Sequence, residues 1–480
     1  MTDSTPVCVG LDLGTSAIKA VAVAEDGAVL STVRRKYPTA RPELGAAEQD
    51  PWDWLAALQA VLAQLAHTVP SQSWLAIGLT GMLPTLVETD ADNRPLSPAI
   101  TWEDSRAEPE ADAYRAAIGD DRLYRITGQR IDGRYLAPMH ARLHRLGLGG
   151  AGVAGAKDVV FAHLTGELLT DPSTAAGFGV FDIERGSWDA ELIAAAQISR
   201  LPTVAPAGTA VTILPRWRDR WALRDDFPVF LGAADSVLGA LGVGATTHGD
   251  VAVIAGTSAI VLGISDAPTR DSQSRYLVTP LTGNGWGLEM DLLAMGSAFE
   301  GIAQLLGLPG PAALLEEAAK VPAAEAPLFL PYLTPGEQGA LWNPDLTGSL
   351  HGLELGMGPG HLGRALLTGV VTELRRCIEI LAAATGARGP ILLGGGSAQS
   401  PLLWQDLADA TGREVRVDPL LSDHSAIGAA LFAAATLERP IRRSGRLVGI
   451  EPRHDSAHWW SETAARHDEL RNALSGLSQQ

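Results

Sequence analysis

A chain of two α/β domains is predicted by three observations. The pentapeptide Gly-Thr-Ser-Ala-Ile occurs twice, at residues 14–18 and 256–260, each time directly after a short apolar run. Short β-prone blocks bounded by turn residues alternate with segments whose apolar residues recur at spacings of three and four, the periods of strand and helix. The length of 480 residues exceeds what one hydrophobic core usually supports. Because the second pentapeptide falls near the middle of the chain, it divides an N-terminal unit, residues 1–246, from a C-terminal unit, residues 247–480.

Residues 7–36 read as three strands with turns at Gly14 and at Glu25-Asp26-Gly27, a meander that opens a sheet. Asp50 and Pro51 mark a helix start, a side-chain cap followed by a residue with no N–H to leave unpaired. Trp54, Leu55, Leu58, Val61, Leu62 and Leu65 then share one face. Residues 74–80, 86–88 and 99–102 are further strand candidates, and from 105 to about 200 the pattern is mostly helical, an insertion or covering layer. Residues 229–233 return to strand and end at Ala234-Asp235, before a short helix. In the second unit, residues 361–384 carry Leu362, Leu366, Val370, Leu374, Cys377, Ile378 and Leu381 on one helical stripe. A strand at 391–393 runs into Gly394-Gly395-Gly396-Ser397, and helices at 401–411 and 425–437 close the unit. Beyond His454 the chain turns polar, as a surface helix or a frayed tail.

The composition, 46% hydrophobic and 19% charged, is that of an ordinary globular protein. A net charge of -18 argues against nucleic acid as a partner, since binding a phosphate backbone needs clustered Lys and Arg. Cys8 and Cys377 are the only cysteines and sit in apolar surroundings, so neither a disulfide framework nor a thiolate metal site is expected, and a reducing cytoplasm fits. No apolar run reaches about 18 residues, and the N-terminus has no basic segment leading into an apolar one, so neither membrane insertion nor export is expected. A homodimer is the assembly the sequence leaves open.

Candidate chemistry gathers at the glycine turns. A strand that ends in Gly-Thr-Ser exposes backbone amides and two hydroxyls, a ready seat for phosphate, and two such turns facing each other could hold a polyphosphate from both sides. Asp12, just before the first turn, suits a Mg²⁺ partner as well as a turn cap. Lys19, on the strand leaving the turn, is placed to reach a phosphate or only solvent. Asp235, at a strand end, suits a general base or a helix N-cap. The turn at Gly394 to Gly396 can bring backbone close to a flat or anionic ligand. Gly147-Leu148-Gly149-Gly150-Ala151-Gly152 matches the dinucleotide pattern formally, but it follows a helical stretch rather than a strand, which weighs against an oxidoreductase. No phosphate-binding GxxxxGK[ST] loop, HExxH or paired CxxC occurs, and His140, His144, His351 and His424 lack metal-ligand spacing.

Taken in order, these landmarks resemble the FGGY carbohydrate kinases, of the superfamily that includes actin, hexokinase and the heat-shock ATPase chaperones. The resemblance is carried by Leu11-Asp12-Leu13-Gly14-Thr15-Ser16 with Lys19, by Glu48-Gln49-Asp50-Pro51, by residues 100–106, by Leu164-Thr165-Gly166-Glu167 with Asp171, and by residues 232–236, 255–258 and 394–400. It implies two ribonuclease H-like domains hinged around a cleft, with ATP and Mg²⁺ mainly on the second and a sugar mainly on the first. By position it makes Asp235 the general base and a metal-side carboxylate, and Asp12 the Mg²⁺ partner. Thr15, Ser16, Gly256 and Thr257 become phosphate contacts with Lys19 beside them, while Gly395, Gly396 and Ser400 border the adenosine. The sugar pocket would draw on Met82, Leu83, Trp102, Asp104, Arg106 and Ser236. A pentulose leads the substrate list, with a sugar acid next, its carboxylate met by Arg106 or Arg134. Two departures bear on that choice. Pro84 stands where xylulokinases and gluconokinases carry a histidine, and the helix near residues 137–146 lacks the family's Lys and Trp. The rival expectation from another class is a catalytically silent sugar or nucleotide sensor of the same fold, against which the intact Asp235 speaks.

Overall fold

The segment Val-Cys-Val-Gly-Leu-Asp-Leu is buried at every position, and a strand apolar on both faces belongs in the middle of a covered sheet. The computed structural model, which describes residues 5–334, 339–343, 346–442 and 447–475, puts Val7–Leu13 there. It pairs antiparallel with Ala17–Ala24 on one side and parallel with Trp74–Gly81 on the other. The six-stranded sheet runs Ala210–Thr212, Pro228–Ala234, Trp74–Gly81, Val7–Leu13, Ala17–Ala24, Val29–Lys36. In the second half, Val251–Ala255 pairs antiparallel with Ala259–Ser265 and parallel with Ile391–Gly394, within a seven-stranded sheet. Each half is thus an antiparallel meander of three strands whose first strand continues into two parallel ones. The repeated pentapeptide occupies the same topological point in both, as expected of a duplicated α/β fold.

Local signals placed most elements. Asp50 accepts a hydrogen bond from the Trp52 N–H at 2.9 Å and opens the helix Pro51–Thr68, whose Trp54, Leu55, Leu58, Val61, Leu62 and Leu65 are all buried. The helical stretch after residue 105 covers a small four-stranded sheet and also reaches the second half. There the Tyr124 hydroxyl donates to the Tyr276 carbonyl at 2.7 Å, and Gln129 Nε2 donates to the Val278 carbonyl at 3.0 Å. The polar C-terminal stretch is a docked helix, Ala457–Ser475, with Trp460 and His467 buried and Asp468 accepting from Arg376 at 2.9 Å. Cys8 and Cys377 are buried and form no disulfide. No helix among the described residues is long and apolar enough to cross a membrane.

The helix His424–Thr436 belongs by sequence to the second half, yet it lies against the first sheet and against the helix Asp235–Val243. Periodicity located this helix but not the surface it covers. Four glycines explain the closeness of the fit. A Cβ on Gly10 would sit 1.8 Å from the Ala426 carbonyl oxygen, and one on Gly78 would sit 2.2 Å from that of Ala429. Likewise Gly428 faces the Leu238 oxygen at 1.8 Å, and Gly242 the His424 oxygen at 2.0 Å. Backbone meets backbone at each point, so no flexible side chain can yield.

Gly10→Ala therefore has nowhere to put one methyl group without moving the helix His424–Thr436. The expected loss is about 1–3 kcal/mol, the usual range for overpacking a close-packed core, and it is read as a lower denaturant midpoint at unchanged slope. An unchanged midpoint would mean that this helix gives way freely.

Candidate active site

In each pentapeptide the glycine N–H closes the hairpin, three residues on in the first and two residues on in the second. The Gly14 N–H donates to the Ala17 carbonyl at 3.1 Å, and the Gly256 N–H donates to the Ser258 carbonyl at 2.8 Å. Neither glycine has positive φ, so neither turn needs glycine for backbone freedom. What glycine provides at 256 is space, because an added Cβ would find only the Ser258 oxygen, at 3.7 Å. The first turn is braced from behind by Gln49 Nε2, donating to the Thr15 carbonyl at 2.7 Å, and by Trp102 Nε1, donating to Thr15 Oγ1 at 2.9 Å. The second is braced by the Gly296 N–H and the Ser397 hydroxyl, donating to the Gly256 carbonyl at 3.1 and 2.8 Å. Ser16 and Thr257 are left exposed. Thr15 of the first turn and Ser258 of the second line one cleft with Asp235, about 760 Å³ of space between the two halves.

Asp12 is the last residue but one of the central strand Val7–Leu13. Lys19 Nζ lies 3.5 Å from its carboxylate and 3.3 Å from Asp423, a residue that sequence reasoning missed because it stands in a loop with no motif. Burial, with the Asp423 charge adding to it, pushes Asp12 above the ordinary carboxylate range against the pull of Lys19. Lys19 is likewise held above its usual value by the two carboxylates. Asp12 Oδ1 is buried with no hydrogen-bond partner, and a hard anionic oxygen of that kind fits a Mg²⁺ ion or its water shell.

Asp235 is the first residue of the helix Asp235–Val243 and does not cap it; the cap position is Ala234. Its carboxylate accepts from the neighbouring Ser236 N–H at 2.9 Å and keeps part of its surface open to the cleft. Burial first, then the charges of Asp12 and Asp291, push it up to about 8. A bulge aims it. Gly232 takes φ +68° with its Cα pressed on the Leu79 carbonyl, so that a Cβ would lie 1.6 Å from that oxygen, and only glycine fits. Behind the bulge, the fully buried Lys157 donates to the Leu231 carbonyl at 3.0 Å and pairs with Asp171 at 3.1 Å. Asp171 accepts from the Ser173 hydroxyl, which accepts from the Ala234 N–H at 2.9 Å.

Two more carboxyls were not foreseen. Glu289 and Asp291, on the strand Trp286–Leu292, line the same cleft from the second half. Burial, with the Asp291 charge adding to it, holds Glu289 above the ordinary range, and burial alone holds Asp291 there, with Arg134 drawing it down. The available signal was two acids at alternate positions of an otherwise apolar strand, which put both on one face.

The remaining expected residues fall into distinct settings. Leu83, Pro84 and Trp102 line the cleft. Met82 is 2% exposed within the N-terminal core. Asp104 accepts from the Ala47 N–H at 2.9 Å and from Arg106, whose guanidinium also donates to Glu43 and Glu48 at 2.9 and 2.6 Å. Arg134, not Arg106, is the guanidinium on the cleft wall. The buried Ser236 hydroxyl donates to Glu289 at 3.3 Å. Gly395 has φ +102° and donates to His424 Nδ1 at 3.0 Å, while Gly396 beside it is exposed with open space above it. Ser400 accepts from the Leu403 N–H at 3.5 Å and caps the helix Pro401–Thr411. Gly147, at φ +72°, ends the helix Leu136–Arg145, so the dinucleotide pattern lies in a helix-to-strand turn, the reverse of the order that such a motif needs.

Comparison with known proteins accords with this geometry. Residues 7–242 match the N-terminal domain of the FGGY family of carbohydrate kinases, and residues 251–437 match its C-terminal domain. A gluconokinase of Bacillus licheniformis is 29% identical over 451 residues, covering 89% of this chain and 87% of its own. A xylulose kinase of Escherichia coli (strain K12) is 30% identical over 417 residues, 85% of each chain. A crystal structure of gluconate kinase from Lactobacillus acidophilus superposes with a TM-score of 0.88 at 25% identity, over 98% of both chains. With both domain models matched in order and the two-domain α/β fold shared along nearly its whole length, the chain belongs to the FGGY family of carbohydrate kinases and is a sugar kinase.

Proposed function

We propose that this kinase transfers the γ-phosphate of ATP to a hydroxyl of a pentulose, sugar acid or related polyol, with Asp235 as general base. The observation that carries the reading is a single cleft into which Asp235 opens and to which both pentapeptide turns contribute a residue, Thr15 and Ser258. Relatives named for gluconate and xylulose support that acceptor class. The exposed hydroxyls of Ser16 and Thr257, with the open face of Gly256, suit the phosphate chain, and the exposed Gly396 suits the nucleoside. Asp12, with its unpartnered oxygen, and Asp235 would hold Mg²⁺, which neutralises charge on the transferring phosphoryl group. Lys19, held by Asp12 and Asp423, orients the first of these carboxylates. The Asp235 carboxylate takes the proton from the attacking hydroxyl, and its raised affinity for that proton is what a base working near neutral pH requires. The Lys157, Asp171 and Ser173 network fixes the backbone on which Asp235 stands, and so the distance over which that proton moves. Two buried thiols that form no disulfide accord with a cytoplasmic setting. The direct test is ADP release in a coupled assay over pentuloses, alditols and sugar acids, and a chain that released none would not have this function.

Asp235→Asn should keep ATP binding and lower turnover by about 100-fold or more, the range for loss of a general base. The same substitution separates activity from stability. Since Asp235 binds its proton more tightly in the folded chain, the folded state retains between about pH 4 and about pH 8 a proton that the unfolded state has released. Stability therefore falls as pH rises through that window, and Asp235→Asn should narrow the difference in thermal midpoint between pH 5 and pH 8. Near-normal turnover in this variant would remove Asp235 from the chemistry. Gly256→Val, which the backbone accepts, fills the space above the second turn. Calorimetry should show ATP affinity falling by about 10-fold or more, as a blocked phosphate contact of 1.4 kcal/mol or larger implies, with sugar affinity little changed. The reverse pattern would exchange the ligands of the two domains.

A further inference from the structure

The cleft lining has an apolar stretch and an acidic one. On the N-terminal side Leu83, Pro84 and Trp102 form part of the lining, and a proline offers neither a side-chain polar group nor an N–H. A sugar hydroxyl that meets this stretch of wall must find its partner elsewhere. Across the cleft, the strand Trp286–Leu292 carries Glu289 and Asp291 two residues apart and so on one face, with Ile260 beside Asp291 in the register of the sheet. Glu289 is fixed in place because its Oε2 accepts from the Thr279 hydroxyl at 3.0 Å and from the Ser236 hydroxyl at 3.3 Å. Ser236 follows Asp235 directly, so this carboxyl is tied to the residue next to the proposed base. The guanidinium of Arg134, on the same lining, is already engaged by Asp132, through Nε at 2.9 Å and Nη2 at 2.7 Å. Three carboxyls, of Asp235, Glu289 and Asp291, thus share the cleft with one guanidinium that has a carboxylate partner of its own.

We infer that Glu289 and Asp291 are specificity-determining residues of the second domain, which receive hydroxyl hydrogen bonds from an uncharged ketose or alditol and exclude acceptors that bring a carboxylate or phosphate to that wall. The inference rests on the sugar-kinase reading of the cleft and narrows it. A carboxyl C=O oxygen accepts, and a polyol presents hydroxyl donors to it. A sugar acid turned toward this wall would place one more anion where burial already disfavours the charged form of both acids, beside a guanidinium, Arg134, that Asp132 already engages. Sequence resemblance assigned the sugar mainly to the first domain, whereas the geometry gives the second domain two of the three carboxyls that line the pocket.

The experiment compares D-xylulose, L-ribulose, xylitol and D-gluconate in the ADP-release assay with the full chain, its Glu289→Gln variant and its Asp291→Asn variant. The wild type should use its best neutral acceptor with kcat/KM at least about 100-fold above that for gluconate, as befits a site that leaves a buried anion unpaired. Each variant should raise KM for the neutral acceptor by about 10-fold, the cost of one weakened buried hydrogen bond, with a much smaller change in kcat and in KM for ATP. Each should also move the gluconate-to-neutral ratio toward gluconate. Equal or better use of gluconate by the wild type overturns the inference, as does an equal fall in kcat for all acceptors with KM unmoved. If no acceptor releases ADP, the kinase reading itself fails, and calorimetric titration of the same four compounds then decides the inference separately: gluconate binding as tightly as the neutral compounds overturns it. Should one variant fail to fold, the wild-type preference and the other variant remain decisive.

Discussion

The meeting of backbones around the helix His424–Thr436 is the constraint on which the rest of the molecule depends. Gly10 and Gly78 on the first sheet, Gly242 on the helix that begins with Asp235, and Gly428 on the meeting helix itself let four main-chain contacts form where any side chain would collide. Close-packed interiors transmit displacement because they have no slack to absorb it. The consequence is positional. Asp423, one residue before this helix, reaches Lys19 and through it Asp12 of the first half. His424, its first residue, accepts from the Gly395 N–H of the glycine turn in the second half. One rigid joint therefore sets the spacing between the candidate metal carboxylate and the candidate nucleoside turn.

Charge in the cleft is arranged by burial more than by pairing. Asp12, Asp235, Glu289 and Asp291 all hold their protons more tightly than free carboxylic acids do, because each is removed from water and, for the first three, because another anion lies near. Such an arrangement costs the folded chain stability and supplies function in return, since a metal ion, a hydroxyl donor or a transferred proton each relieves it. By contrast, Arg106 satisfies Asp104, Glu43 and Glu48 together and shapes the loops beside the cleft. Ser400 similarly completes a helix end. Site residues carried over by resemblance thus divide into those that face the space and those that build its walls.

The sequence by itself determined the elements, the duplication and the family. Strands of unbroken apolar residues, a helix opened by Asp50 and Pro51, and an identical turn in each half are local patterns, and local patterns survive reading in one dimension. Asp12 and Asp235 were legible because each stands at the end of an apolar strand, where a carboxylate is conspicuous. Only the tertiary structure decided that Asp423 joins Asp12, that a helix of the second half lies on the first sheet, that Met82 faces the core while Leu83 faces the cleft, and that Glu289 and Asp291 complete the pocket. These facts concern which surfaces meet across hundreds of residues of chain. Hydrophobic burial, which drives such meetings, is non-directional and leaves no periodic mark of its partner in the sequence.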